Sequence, residues 1–137
     1  MSLLANAADW FKSRKTPLDR WFEDERGRYG FAVTVEGQPF VVCARSYLND
    51  GKASFMAIKI VQRAIDRDAY VLLFTDGDRR LVFDPITVFE DGETDDVAEQ
   101  DRERRGEGWV AVDAGRSVPF DAWIDRGIEP PKPGAEA

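Results

Sequence analysis

At 137 residues, 43% of them hydrophobic, the chain is long enough to bury one substantial core and too short to expect two. It has no histidine and a single cysteine, Cys43, which excludes histidine acid–base chemistry, histidine metal ligation, an internal disulfide and a cysteine-based zinc cluster. The net charge of −7 is unevenly placed: residues 1–83 hold 13 basic and 11 acidic residues and residues 84–137 hold 6 and 15, so a nucleic-acid partner, if there is one, should meet the first part.

Leu3, Leu4, Ala7, Ala8 and Phe11 recur at helical spacing, predicting an amphipathic helix over residues 2–14 with Trp10 beside its apolar stripe. Thr16 and Pro17 read as an N-cap and first helical position, predicting a second helix with Leu18, Trp21 and Phe22 on one face and a stop at Gly27. YGFAVTV (29–35) and PFVVCAR (39–45) are rich in β-branched and aromatic residues and flank Glu36, Gly37 and Gln38, predicting a hairpin. Ser54 is placed to cap a helix from Phe55 to about Asp66, with Phe55, Ile58, Val61 and Ile65 facing inward. AYVLLFT (69–75) and RLVFD (80–84) flank Asp76, Gly77 and Asp78, predicting a second hairpin.

After Pro85, ITVFE (86–90) fits a short strand or one helical turn. The polar stretch 91–108 reads as an acidic, flexible, partly disordered loop. WVAVD (109–113) predicts a strand, SVPFDAWIDRG a capped short helix returning Phe120, Trp123 and Ile124 to the core, and residues 129–137 a disordered tail. The organisation expected is therefore an α/β core over residues 1–90, the loop 91–108, and a strand and short helix over 109–128 that complete the same domain. The fold class is a mixed central β-sheet flanked by helices. No apolar run approaches the ~20 residues that span a bilayer, and MSLLANAADW carries an acid where a secretion signal carries basic charge, so the expectation is a cytoplasmic chain with no membrane partner. A ratio of 14 Arg to 5 Lys with abundant Asp fits a GC-rich genome and a salt-adapted cytoplasm.

The stretch from Gly30 to Phe89, running from FVVCAR through QRAI to LLFT and LVFDP, resembles the archaeal Holliday-junction resolvases and, more broadly, the restriction-endonuclease-like PD-(D/E)xK nucleases. The resemblance implies a strand pair ending in Glu-x-Lys, a following helix and two further strands. It also implies Mg²⁺ held by acids beside a scissile phosphate, with the lysine stabilising developing charge. Matched to this chain, the Glu position falls on Val41, the Lys position on Cys43 and the earlier Asp near Tyr29 to Phe31, none of them a hard oxygen ligand. The expected site is therefore degenerate, with no catalytic residue, metal or cofactor. The plainer alternative is that FVVCAR is a core strand of an unrelated α/β domain.

Two substitutes for the missing site are available. Lys59 lies on the following helix, where variants of the superfamily carry their lysine, and Asp50 supplies one carboxylate from the preceding loop; Gln62 occupies a place resembling a family glutamine. Against them stand a solvated helix lysine, a turn aspartate in Asn49-Asp50-Gly51 and an ordinary polar-face glutamine. Cys43, in an apolar strand without a base, reads as a buried inert thiol. KSRK (12–15) with Arg20, Arg26 and Arg28 offers a basic face with Trp10 and Trp21 as stacking platforms, but five acids interleave these six bases. RERR (102–105) reads as ion-paired helix face, and Asp91, Glu93, Asp95 and Asp96 lack the glycine and closing glutamate of a calcium loop.

The leading expectation is a non-catalytic nuclease-like module that binds either a protein, through an exposed sheet edge, or nucleic acid, through Arg45, Lys52 and Lys59. The alternatives are a divergent metal-dependent DNA nuclease using Mg²⁺, and a homodimeric accessory protein with no nucleic-acid role; a homodimer is also what the resemblance to resolvases implies.

Overall fold

The computed structural model describes residues 2–46, 53–76, 79–91 and 108–132. Helix α1 (Leu3–Ser13) starts where the Ser2 hydroxyl accepts the Ala5 N–H at 3.1 Å and buries Ala7, Ala8 and Phe11, the expected stripe. The second predicted helix is instead a strand, β1 (Leu18–Asp24). Leu18, Trp21 and Phe22 are too few to separate the two periods, and pairing decides: Trp21 lies opposite Phe31 and Phe22 opposite Gly30 on the next strand. The chain turns back as the Asp24 carboxylate accepts the Arg26 N–H at 2.9 Å and Gly27 adopts φ +114°.

Strands β2 (Gly27–Val35) and β3 (Gln38–Ala44) form the predicted hairpin. Its turn residues Glu36 (φ 51°) and Gly37 (φ 80°) both have positive φ, as the tightest right-twisting hairpin loops require. A further strand, β4 (Ala53–Ala57), occupies the expected first turns of the next helix, which begins only at Ile58 (α2, Ile58–Asp66). Ser54 is therefore not a cap. Its buried hydroxyl donates to the Ser46 carbonyl at 3.1 Å, and its backbone pairs with a strand distant in sequence, an interaction that local capping signals do not encode.

Strands β5 (Tyr70–Thr75) and β6 (Arg79–Phe83) form the second predicted hairpin, although Gly77 and Asp78 of its turn lie outside the described residues. ITVFE is helical: α3 (Pro85–Asp91) is started by the Asp84 carboxylate, which accepts the N–H groups of Ile86 and Thr87 at 2.9 and 3.3 Å. Residues 92–107 of the expected acidic loop lie outside the described residues. Strand β7 (Trp109–Asp113) is followed by a 3₁₀ turn (Ala114–Arg116), β8 (Val118–Pro119) and α4 (Phe120–Arg126). Helix α4 has no side-chain cap at its start and ends on left-handed Gly127. Of the expected tail, residues 129–132 are docked, since Pro130 is buried and the Pro131 carbonyl accepts the Thr87 hydroxyl at 2.8 Å; residues 133–137 lie outside the description.

The architecture is α/β with a mixed six-stranded sheet in the order β1-β2-β3-β5-β6-β8. Every pairing is antiparallel except β3 with β5, which run parallel because α2 carries the chain back across the sheet. Both faces are covered. Phe31, Val33, Phe40, Val42, Leu72, Phe74 and Val82 pack under α1 and α4 with Phe11 and Phe120. Ala32, Val41, Cys43, Val71, Leu73, Leu81 and Phe83 pack under α2, α3 and the separate β4–β7 ribbon. Strands enclosed on both faces need near-continuous apolar runs, which FVVC and VLLF provide. The two edges differ in form: β8 is two residues long and contains Pro119, and β1 carries two register shifts against β2. Among the described residues no helix is long and apolar enough to cross a membrane.

Phe40 sits at the centre of the aromatic layer, edge-on to Phe120 and Trp123 at centroid distances of 5.5 and 5.0 Å, and is fully buried. Phe40→Ala should lower unfolding free energy by about 3–5 kcal/mol, measured by urea denaturation.

Candidate functional site

The antiparallel register brings the start of β2 beside the end of β3, and the β1–β2 turn and the start of α2 close over them, leaving a cleft of about 400 Å³. The first turn of α1 lines the same cleft through Ser2, Leu3 and Leu4, and Trp109 enters from β7. Two helix N-termini thus meet there. Ala57 gives α2 no side-chain cap, and the Ile58 N–H is taken by the Gly108 carbonyl at 2.9 Å. Helix N-termini carry partial positive charge and favour anions.

The polar lining is mostly cationic: Arg26, Arg28, Arg45 and Lys59, against Asp24 as the one lining carboxylate among the described residues. Lys59 donates to the Asp24 carboxylate. That bond, followed by the one from the Arg26 N–H, holds the Asp24 carboxyl below its ordinary value of 3.8. The contribution to stability is present above the ordinary carboxylate range and lost as pH falls through the depressed value. Three of these cations rest on rings, with Lys59 4.2 Å from the Tyr29 centroid, Arg45 4.3 Å from Trp109 and Arg28 4.3 Å from Trp21.

The positions to which the resemblance assigns metal ligands carry no oxygen ligand. Val41 is fully buried, and Cys43, though it lines the cleft, is 4% exposed. Burial pushes the Cys43 thiol up to about 12, outweighing the opposite pull of Arg45, so the sulfur stays protonated and non-nucleophilic. In the Tyr29–Phe31 span, Phe31 belongs to the aromatic layer and the Tyr29 hydroxyl accepts from the Arg63 guanidinium at 3.1 Å. Gly30 has no room for any side chain: a Cβ there would lie 2.7 Å from the Ile60 side chain and 2.8 Å from the Val42 carbonyl oxygen. Among the described residues no group of three Asp, Glu, Cys or His side chains is placed to hold a metal ion.

Of the residues singled out from sequence, Arg45 and Lys59 line the cleft, Gln62 is exposed on α2 away from it, and Asp50 and Lys52 lie outside the described residues. Lys59 meets Asp24 where the sequence suggested Asp50. Asp24 and Trp109 have no part in the site expected from sequence, because they converge only through strand register, and Tyr29 enters that expectation only as one end of the span matched to the family's earlier Asp. Trp10 and Trp21, the suggested stacking platforms, are instead packed, Trp10 against Phe11 and Phe74 and Trp21 against Phe31. No protein-family model and no curated protein matches the sequence.

Gly30→Ala should destabilise the fold by about 1–3 kcal/mol in denaturant titrations, because the Val42 carbonyl is backbone and cannot swing aside. Cys43 should resist an aromatic disulfide reagent in the native protein and react at the rate of unfolding, whereas an activated thiol would react at once.

Proposed function

We propose that the chain is a non-catalytic module on a restriction-endonuclease-like scaffold, and that it binds nucleic acid through the cleft at the ends of β2 and β3. The sheet order supports the scaffold: the β2–β3 pair, helix α2, and then β5 and β6 follow in the sequence the resemblance implies, with β4 as an addition between β3 and α2. The observation that carries the binding reading is the cleft itself. Among the described residues four cations, two helix N-termini and the rings of Tyr29 and Trp109 surround it, and its one lining carboxylate is matched by Lys59.

The absence of chemistry follows from the side chains in the metal-ligand positions. A hydrocarbon at Val41, a protonated thiol at Cys43 and a filled space at Gly30 leave no oxygen there to polarise a phosphate or activate water. Binding needs none of these: Arg28 and Arg45, exposed at the rim, supply bidentate donors for phosphate oxygens. The chain's overall charge of −7 opposes non-specific attraction to polyanions, so affinity rests on this patch and weakens steeply with salt.

Fluorescence anisotropy with labelled single-stranded, duplex and branched DNA at low ionic strength tests the reading. Metal-independent binding is expected, with Arg28→Glu and Arg45→Glu each weakening it about tenfold and no strand cleaved when Mg²⁺ or Mn²⁺ is added. Metal-dependent cleavage would establish the divergent nuclease instead. Negligible affinity for all three forms would favour the accessory protein, with analytical ultracentrifugation reporting whether it is a dimer.

A further inference from the structure

Beyond the cleft, the cationic surface continues along α2. Lys59, Arg63 and Arg67 stand four residues apart, the last at the helix C-cap, so they form one row with successive members about 6 Å apart along the helix axis. The row is bedded on aromatic rings. Lys59 lies over Tyr29, the Arg63 Nε donates to the Tyr29 hydroxyl, and Tyr29 stacks on Phe22 with 26° between the ring planes. Phe22 belongs to the core cluster and is 1% exposed, and three guanidinium groups lie over its ring: Arg63, Arg67 and, from β1, Arg20, at 5.0, 4.7 and 5.2 Å from its centroid.

In a chain with 26 acids and 19 bases, Arg20, Arg63 and Arg67 pair with no carboxylate among the described residues. Ring contacts fix their stems and leave the guanidinium edges as donors. An arginine held on a ring forfeits less rotamer freedom on meeting a phosphate than a solvated one does, so the row is pre-ordered for anions.

We infer that this row is a track for the phosphate backbone of a single nucleic-acid strand, running from the cleft along α2 towards Arg67 and Arg20; the inference rests on the nucleic-acid reading of the cleft and gives it a substrate class and a direction. One line of cations at this spacing follows the successive phosphates of one strand. A duplex presents two backbones across a groove and would call for a second row. In the cleft, the cation-bearing rings of Tyr29 and Trp109 lie where the strand's first bases arrive, the pairing of charged groove and stacking surface that suits single strands.

The test is a salt titration of affinity for a labelled oligothymidylate, a dinucleotide and a duplex, using wild type, Arg67→Gln, Arg20→Gln and Arg45→Gln, with Arg14→Gln on α1, across the sheet, as control. Glutamine keeps part of the stem over Phe22, and thermal melts confirm that each variant is folded. For the oligothymidylate, Arg67→Gln and Arg20→Gln should each reduce the slope of log affinity against log salt by about 0.7, while binding of the dinucleotide, which reaches only the cleft, stays unchanged. Arg45→Gln should weaken both. Wild-type slopes preserved in the folded Arg67 and Arg20 variants would overturn the track and leave the cleft standing, as would duplex binding equal to single-strand binding. A wild type that binds none of the three overturns the track and the cleft reading together.

Discussion

A strand enclosed on both faces cannot carry charge, and β3 is such a strand. Parallel pairing with β5 places it mid-sheet, Phe40 and Val42 face the aromatic layer, and Val41 and Cys43 face α2. An unpaired carboxylate or ammonium at any of these four positions would cost several kcal/mol in desolvation, so the strand holds its place only while they stay apolar. Polar chemistry is pushed to the end of the strand, where Arg45 emerges with its backbone N–H still bound to the Phe74 carbonyl at 3.1 Å.

The same constraint explains how the cleft is built. Its functional groups belong to strand ends, helix starts and the β1–β2 turn, the places where the backbone leaves the buried layers. Arg28, Arg45 and Lys59 each lie against a ring, which holds their charge at the cleft wall. Lys59 does more than that. Its bond to Asp24 ties the β1–β2 turn to α2, so this lysine closes one wall of the cleft as well as contributing charge.

Both hairpins were legible from sequence, since YGFAVTV, FVVCAR, YVLLF and RLVF carry β-branched and aromatic residues up to a glycine-marked turn, and α1 was legible from its 3–4 spacing. What local pattern could not reveal was pairing at a distance. Leu18 to Asp24 reads as a capped helix until β2 offers it a ladder, and Ser54 to Ala57 reads as the cap and first turn of α2 until β7, more than fifty residues on, takes up its hydrogen bonds. The site was legible to the same extent: Arg45 and Lys59 follow directly from strand and helix, whereas Asp24 and Trp109 reach the cleft only through those two unforeseen pairings. The burial of Cys43 could be anticipated from its neighbours. The crowding at Gly30 could not, because it depends on how closely Ile60 of α2 sits on the sheet.

The uneven margins of the six-stranded sheet bear on what this molecule does when crowded with its own kind. A long, flat, apolar margin would template strand after strand and seed fibrils. Here one border is a two-residue stub whose Pro119 offers no amide hydrogen, and the other is kinked by its register shifts and studded with Asp19, Arg20, Glu23 and Asp24. Such borders offer another strand little straight, unpaired backbone on which to lie.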